Sequence, residues 1–348
     1  MSLVNSVMTS GILAKNRLII DEFKNLIYPY LLGRKPEESM NSYDWLLNYL
    51  ICPLFTSKCS YKLEPVSGEL QCGCGAVYGI HPGTLQLRPI DNRKTASQDP
   101  DGKYQEQMFV NMFVLRQYGS WVRTDIAAPD YRQTLDIRGG AENFYQTLLA
   151  VIHPYVSGVD MIADVGCGTG RLAGELGKIS RQAKVIGFDY SPAMVSRAAQ
   201  IIQSPQGEDV VFPIRTSKLH SVSAFIEGWG LDNCAFIVAD GQFLPLQKSV
   251  ADVVTCTNVF HRVASPATLL SSISRILKPG GVFLVSNSYD WKEEFTPRER
   301  WFDCFDSLIN PSEWRKLAEV DGIIYVTPTY NRKFDLAVNH VEVFKKIG

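Results

Sequence analysis

No stretch of this 348-residue chain approaches the run of about 20 apolar residues that a membrane span needs. Neither sign of charge prevails. Thirty-five Lys and Arg against 36 Asp and Glu leave a formal net charge of −1, without the basic surplus expected of a dedicated nucleic-acid binder. Met1 to Ile20 lack the basic-then-apolar layout of a secretory leader, so a cytoplasmic location is expected. No segment repeats. Cysteine is sparse, at eight residues, and Cys167, Cys234, Cys256 and Cys304 are scattered as in a reduced cytosolic protein. What remains is the composition of an ordinary globular protein, 45% hydrophobic and 20% charged, long enough for two domains or for one domain with a small module.

Against that plain background residues 161–170 stand out. An apolar run ends at Asp164, glycines follow at 166, 168 and 170, and a helix-forming stretch opens at Arg171. A strand that turns sharply into a helix needs positive φ and no Cβ, which leaves bare backbone for a ligand. About twenty residues on, Asp189 ends the next apolar segment, where a carboxylate suits the two hydroxyls of a ribose. A nicotinamide site is the nearest alternative, because Gly168-Thr169-Gly170-Arg171-Leu172-Ala173 satisfies the looser dinucleotide pattern. That alternative leaves Asp164 and the later blocks without a role.

Five blocks occur in order. They are Asp164 to Gly170, Asp189 to Met194, Ala239-Asp240-Gly241 with Leu244-Pro245-Leu246, Asn258 to Val263, and Leu277-Lys278-Pro279-Gly280-Gly281. Together they resemble the class I S-adenosylmethionine-dependent methyltransferases over roughly residues 140–290. The resemblance implies S-adenosylmethionine as cofactor and S-adenosylhomocysteine as product. It puts Gly166, Cys167, Gly168 and Gly170 against the methionine part of the donor, with Asp164 orienting that region. Asp189 takes the ribose, Tyr190 flanks the adenine, and Asp240 with Gly241 meets the adenine amino group. Asn258 to His261 face the methyl group, which makes His261 a candidate for acceptor contact or proton removal. Tyr289, Asp290 and Trp291 follow the fifth strand, where the acceptor pocket of such enzymes lies.

Strands are predicted over 161–165, 184–188, 235–239, 251–257 and 281–286, and helices over 170–179, 192–202 and 266–277. This alternation means a doubly wound, mostly parallel α/β sheet. Residues 322–326 and 340–344 read as two further strands. The resemblance makes them the antiparallel closing pair of a seven-stranded Rossmann-like sheet. Asp252 reads as a structural residue at a strand start. Residues 1–50 read as a helical extension, serving as a lid, a homodimer element or plain packing. Residues 51–90 read as a small β-rich cysteine module, 91–140 as linker and lid helices, and 141–348 as the methyltransferase domain.

Within the module, Cys52, Cys59, Cys72 and Cys74 are clustered, and four thiolates suit tetrahedral zinc. The stretch from Cys72 to Pro89 resembles the zinc ribbon of rRNA guanine methyltransferases, although gaps of six residues and of one depart from its spacing. The expected activity is methyl transfer to N or O of a small amino-acid-derived or natural-product acceptor. Residues 291–301 are similar to the corresponding region of methyltransferases acting on such metabolites, including the mercaptohistidine methyltransferase domain of ovothiol synthesis. Two alternatives stand beside it: an rRNA or tRNA base methyltransferase that reads RNA with the ribbon, and a catalytically silent scaffold of the same fold.

Overall fold

The computed structural model describes residues 44–54, 63–66, 69–81, 84–88, 107–118, 140–215, 219–330 and 333–348. The helical extension read over 1–50 lies outside the described residues, apart from one turn at Asp44–Leu47 (α1). So do Cys59 and nearly all of the linker.

A parallel sheet carries the domain. Its central strands are β5 (Met161–Val165), β6 (Lys184–Asp189), β9 (Cys234–Val238), β10 (Ala251–Thr257) and β11 (Leu277–Asn287). β5 and β9 are buried at every position, as strands covered on both faces must be. β12 (Trp314–Tyr330) and β13 (Lys333–Lys346) close the sheet antiparallel, in the order β9-β6-β5-β10-β11-β13-β12. Seven strands were read from the sequence, and the sheet continues past them. β4 (Thr84–Gln86) adds to β9 in parallel, and the meander β1 (Leu63–Val66), β2 (Glu69–Cys72) and β3 (Val77–His81) follows it at that edge.

The helices begin where the sequence marks them. Ser191 caps α5 (Pro192–Gln203), its hydroxyl accepting from Met194 N at 3.2 Å, and Ser265 caps α6 (Pro266–Ile276) through Thr268 N at 3.3 Å. In each case Pro follows the cap, and its missing N–H costs nothing there. α4 (Arg171–Ile179) starts at left-handed Gly170. α2 (Gln107–Tyr118) and α3 (Gly140–Ile152) precede the sheet. A separate hairpin, β7 (Glu208–Arg215) with β8 (Leu219–Ile226), was not read from the sequence; it packs on α2.

Two apolar clusters line the two faces of the sheet. One of them joins Cys52, Cys72, Tyr78, Leu85 and Leu87 of the cysteine module to Phe188, Ile237 and Leu246 of the domain in a single core. Asp252 is structural, as read: its carboxylate accepts from the amides of Asp160 and Met161 at 3.0 Å and pairs with Lys278 at 2.7 Å. No helix among the described residues is long and apolar enough to cross a membrane.

Candidate active site

The glycine turn runs out of β5 over the sheet's carboxyl edge. Gly166, Gly168 and Gly170 all have positive φ. Gly166 is required twice over, because a Cβ there would stand 2.1 Å from Val259 Cγ2. Its amide and that of Cys167 donate to Phe188 O at 2.7 and 2.9 Å, tying the turn to β6. Gly170 does not reach the ligand wall but starts α4. Cys167 forms wall only, since burial pushes its thiol well up and leaves no reactive thiolate.

Beside the turn lies a cleft of about 910 Å³. Asp164, Gly166, Cys167, Gly168, Asp189, Tyr190, Gly241, Asn258, His261 and Asp290, all named from the sequence, are on its wall. Asp164 is 1% exposed and accepts from Thr255 Oγ1 at 2.7 Å. Burial pushes its carboxyl up to about 7, so it needs a cation beside it to stay charged at neutral pH. Asp189 accepts from Gly168 N and Ser191 N, each at 2.9 Å. Burial raises its carboxyl, while the amides of Ser191, Gly168 and Tyr190 and the nearby Arg88 pull it back.

Besides Gly170, the structure places two sequence candidates off this wall. Asp240 is not on the wall, although its neighbours Ala239 and Gly241 are. Its carboxylate caps the next turn, accepting from Gln242 N at 2.9 Å and from Gln242 Nε2 at 3.3 Å. Tyr289 also turns away, its hydroxyl lying 3.0 Å from His340 Nδ1 and its ring against Phe302 and Phe305.

His261 is 3% exposed, and burial lowers its imidazole to about 4. Its Nδ1 lies 2.5 Å from Asn287 Oδ1. That oxygen also accepts from Tyr289 N at 3.1 Å, which fixes the amide orientation and makes Nδ1–H the donor. The ring is therefore neutral, with its lone pair at Nε2. Beside it Arg262 pairs with Asp290 at 3.2 Å and lies over Phe295, and Lys292 completes the polar end of the cleft.

Several contributors had no local signal in the sequence. Gln117 of α2 accepts from Thr169 Oγ1, and its carbonyl accepts from Arg171 Nη1 at 2.8 Å. Tyr118 donates to Thr169 O at 2.6 Å, so α2 is pinned to the turn. Asn287 orients His261. The β12–β13 hairpin brings Tyr325, Leu336 and Val338 to the cleft.

Does this wall fit a sulfonium nucleoside? Two carboxylates, Asp164 and Asp189, stand on it beside the glycine turn. Asn258 Oδ1, buried without a protein partner among the described residues, is an acceptor on the same wall, open to a ligand N–H. Residues 163–285 match the methyltransferase domain family. The chain carries an S-adenosylmethionine-dependent methyltransferase domain.

Relatives of the methyltransferase domain run well beyond it. An uncharacterized 37.1 kDa protein from a transposon of Streptomyces fradiae is 32% identical over 249 residues, covering 69% of this chain and 63% of its own length. An uncharacterized methyltransferase of Schizosaccharomyces pombe is 26% identical over 127 residues, covering 36% of this chain and 39% of its own length. The chain thus spans less than two thirds of either relative. A ubiquinone biosynthesis O-methyltransferase of Methylococcus capsulatus is 28% identical over 204 residues, 53% of this chain and 75% of that one.

The cysteine module holds a second cluster. Sγ atoms of Cys52, Cys72 and Cys74 all lie within 4.8 Å of one another, with Cys52 and Cys74 at 3.8 Å. Thiolates on one tetrahedral zinc at about 2.3 Å stand roughly 3.8 Å apart, so three of the four cysteines named from the sequence fit that ion. Tyr78 Oη sits 3.0 Å from Cys52 Sγ, and burial raises its phenol.

Proposed function

We propose that the chain transfers the methyl group of S-adenosylmethionine to an oxygen or nitrogen of a small acceptor of amino-acid-derived or natural-product type. The supporting observation is the shape of the cleft. Its cofactor end is the glycine turn with Asp164 and Asp189. Met112, Phe113, residues of the β12–β13 hairpin, His261, Arg262, Asp290 and Lys292 line the same cleft. A cleft of about 910 Å³ suits a small molecule. The Methylococcus relative, named as an O-methyltransferase, supports oxygen as the acceptor atom.

The bound cofactor supplies an electrophilic methyl on a sulfonium, and the protein's share is positioning and exclusion of water. With donor and acceptor both bound, the acceptor lone pair would form the new bond to carbon as the carbon–sulfur bond breaks, and sulfur would keep that electron pair. Where the acceptor carries a proton, the lone pair of His261 Nε2 receives it. Because His261 stays neutral above about pH 4, its Nε2 is unprotonated throughout the physiological range, a weak base that suits an acceptor whose proton becomes acidic as the new bond forms. The kcat profile is therefore expected to show no limb near 6.5 from this residue. H261A is expected to lower kcat by about 100-fold and to leave S-adenosylhomocysteine affinity within about twofold. Wild-type kcat in H261A contradicts this role, and a limb near 6.5 that disappears in H261A contradicts the lowered pKa.

The reaction itself is tested with tritiated methyl donor in host extract, separated into RNA, protein and small metabolites. Label is expected in the metabolite fraction. Label in RNA would make the cysteine module a substrate reader and this reading wrong, and label in no fraction would favour the silent scaffold.

We infer that Cys52, Cys72 and Cys74, with Cys59 as the fourth named ligand, hold a structural zinc. Four protein ligands leave no open position, so the metal would act on folding alone. One equivalent of zinc in the purified protein is expected, with a lower melting temperature after chelation. Metal-free protein that melts at the same temperature overturns it.

A further inference from the structure

We propose that the cysteine module is a working part of the adenosine subsite, with Arg88 as its positioning residue. This rests on the cleft being the S-adenosylmethionine site.

The module grips the domain at two places, and both adjoin the adenosine end. On one side β4 extends the sheet, with Leu85 opposite Ile237 and Gln86 opposite Val238, and Leu87 N continues the ladder to Val238 O at 2.8 Å. Val238 is in turn opposite Asp189, and Ala239 N donates to Asp189 O. The chain leaving β4 therefore passes the tip of β6, where Asp189 and Tyr190 face the cleft. On the other side residues 48–51 embrace the loop that follows Gly241. Ile51 N donates to Pro245 O at 2.9 Å, Gln247 N to Tyr49 O at 3.1 Å, and Gln247 Nε2 to Asn48 O at 2.8 Å. Leu50 bridges Leu246.

Arg88 stands at the first of these grips. Its guanidinium lies 4.5 Å from the centre of the Tyr190 ring. It does not line the cleft, whereas Tyr190 and Asp189 do. It therefore acts through them. Its charge over the ring backs the aromatic wall, and the same charge helps hold the neighbouring carboxyl ionised against burial. Arg is suited to this as Lys is not, because only a planar cation can both stack and spread its charge toward a carboxylate. The side chain that backs Asp189 and Tyr190 comes from the bend just after β4, about a hundred residues earlier in the chain.

Calorimetric titration of the full chain with S-adenosylhomocysteine and with 5′-methylthioadenosine, which lacks the amino-acid end, tests this. R88M is expected to weaken both ligands by a similar factor of about 10. R88K is expected to recover part of that loss. In turnover, R88M raises KM for S-adenosylmethionine with kcat little changed. A merely structural role would instead lower kcat in step with the melting temperature and leave KM unchanged. If R88M proves insoluble, R88K is expected to show about a threefold loss for both ligands. Wild-type affinity in the soluble variant overturns the proposal, as does a loss confined to S-adenosylhomocysteine. Failure of the wild-type protein to bind either ligand removes the cofactor reading and this proposal with it.

Discussion

D189A is expected to weaken S-adenosylhomocysteine binding by about 100-fold or more. Two effects combine. In the proposed reading the carboxylate takes the ribose hydroxyls, and a hydrogen bond to a charged group contributes about 1.5–3 kcal/mol. The same carboxylate holds the glycine turn, because Gly168 N and Ser191 N both end on it at 2.9 Å. Its removal orphans two backbone donors as well as losing the ligand contact. D189N is expected to do almost as badly, since its NH2 group must face one of those N–H donors. Calorimetric titration checks this, and a D189N protein binding within threefold of wild type contradicts it.

G166A is expected to cost both stability and binding. A Cβ at Gly166 meets Val259 Cγ2 at 2.1 Å, and the backbone there has φ 75°. A non-glycine residue in the left-handed region costs about 1–2 kcal/mol, and forcing a methyl into a packed site adds about 1–3 kcal/mol. The melting temperature should fall by several degrees and cofactor binding by more than about 30-fold. The two costs can be separated. V259A removes the clashing methyl, so G166A with V259A should regain much of the lost melting temperature. Binding should stay poor, because the turn still carries the backbone strain. Full recovery of binding in the double variant would show that the backbone conformation is not what the site needs.

Much of this site could be read along the chain because its signals are local. The turn from β5 into α4 needs glycines within a few residues of one another, and Asp164 and Asp189 end their own strands. Ser191-Pro192 and Ser265-Pro266 announce helices at the places where they begin. Asp240 shows the limit of such reading. An acid two residues before an amide can satisfy that amide itself, and here it does so with Gln242 N. Tyr289 shows another limit. Position after a strand does not decide to which side a ring turns, and this one follows His340 of β13. Gln117 and Asn287 were missed because each acts on a residue far away in sequence, as Gln117 does on Thr169, 52 positions on. Residues 51–90 were read as β-rich, but that their strands extend the sheet at the β9 edge was not, because the joining strand β4 is three residues long and carries no period.

Equilibrium binding of S-adenosylhomocysteine and of NAD to the full chain tests the central claim most directly. One equivalent of S-adenosylhomocysteine should bind, and NAD should not compete. Tight NAD binding would restore the nicotinamide reading of the glycine turn, and no binding of S-adenosylhomocysteine would contradict the assignment of the cleft.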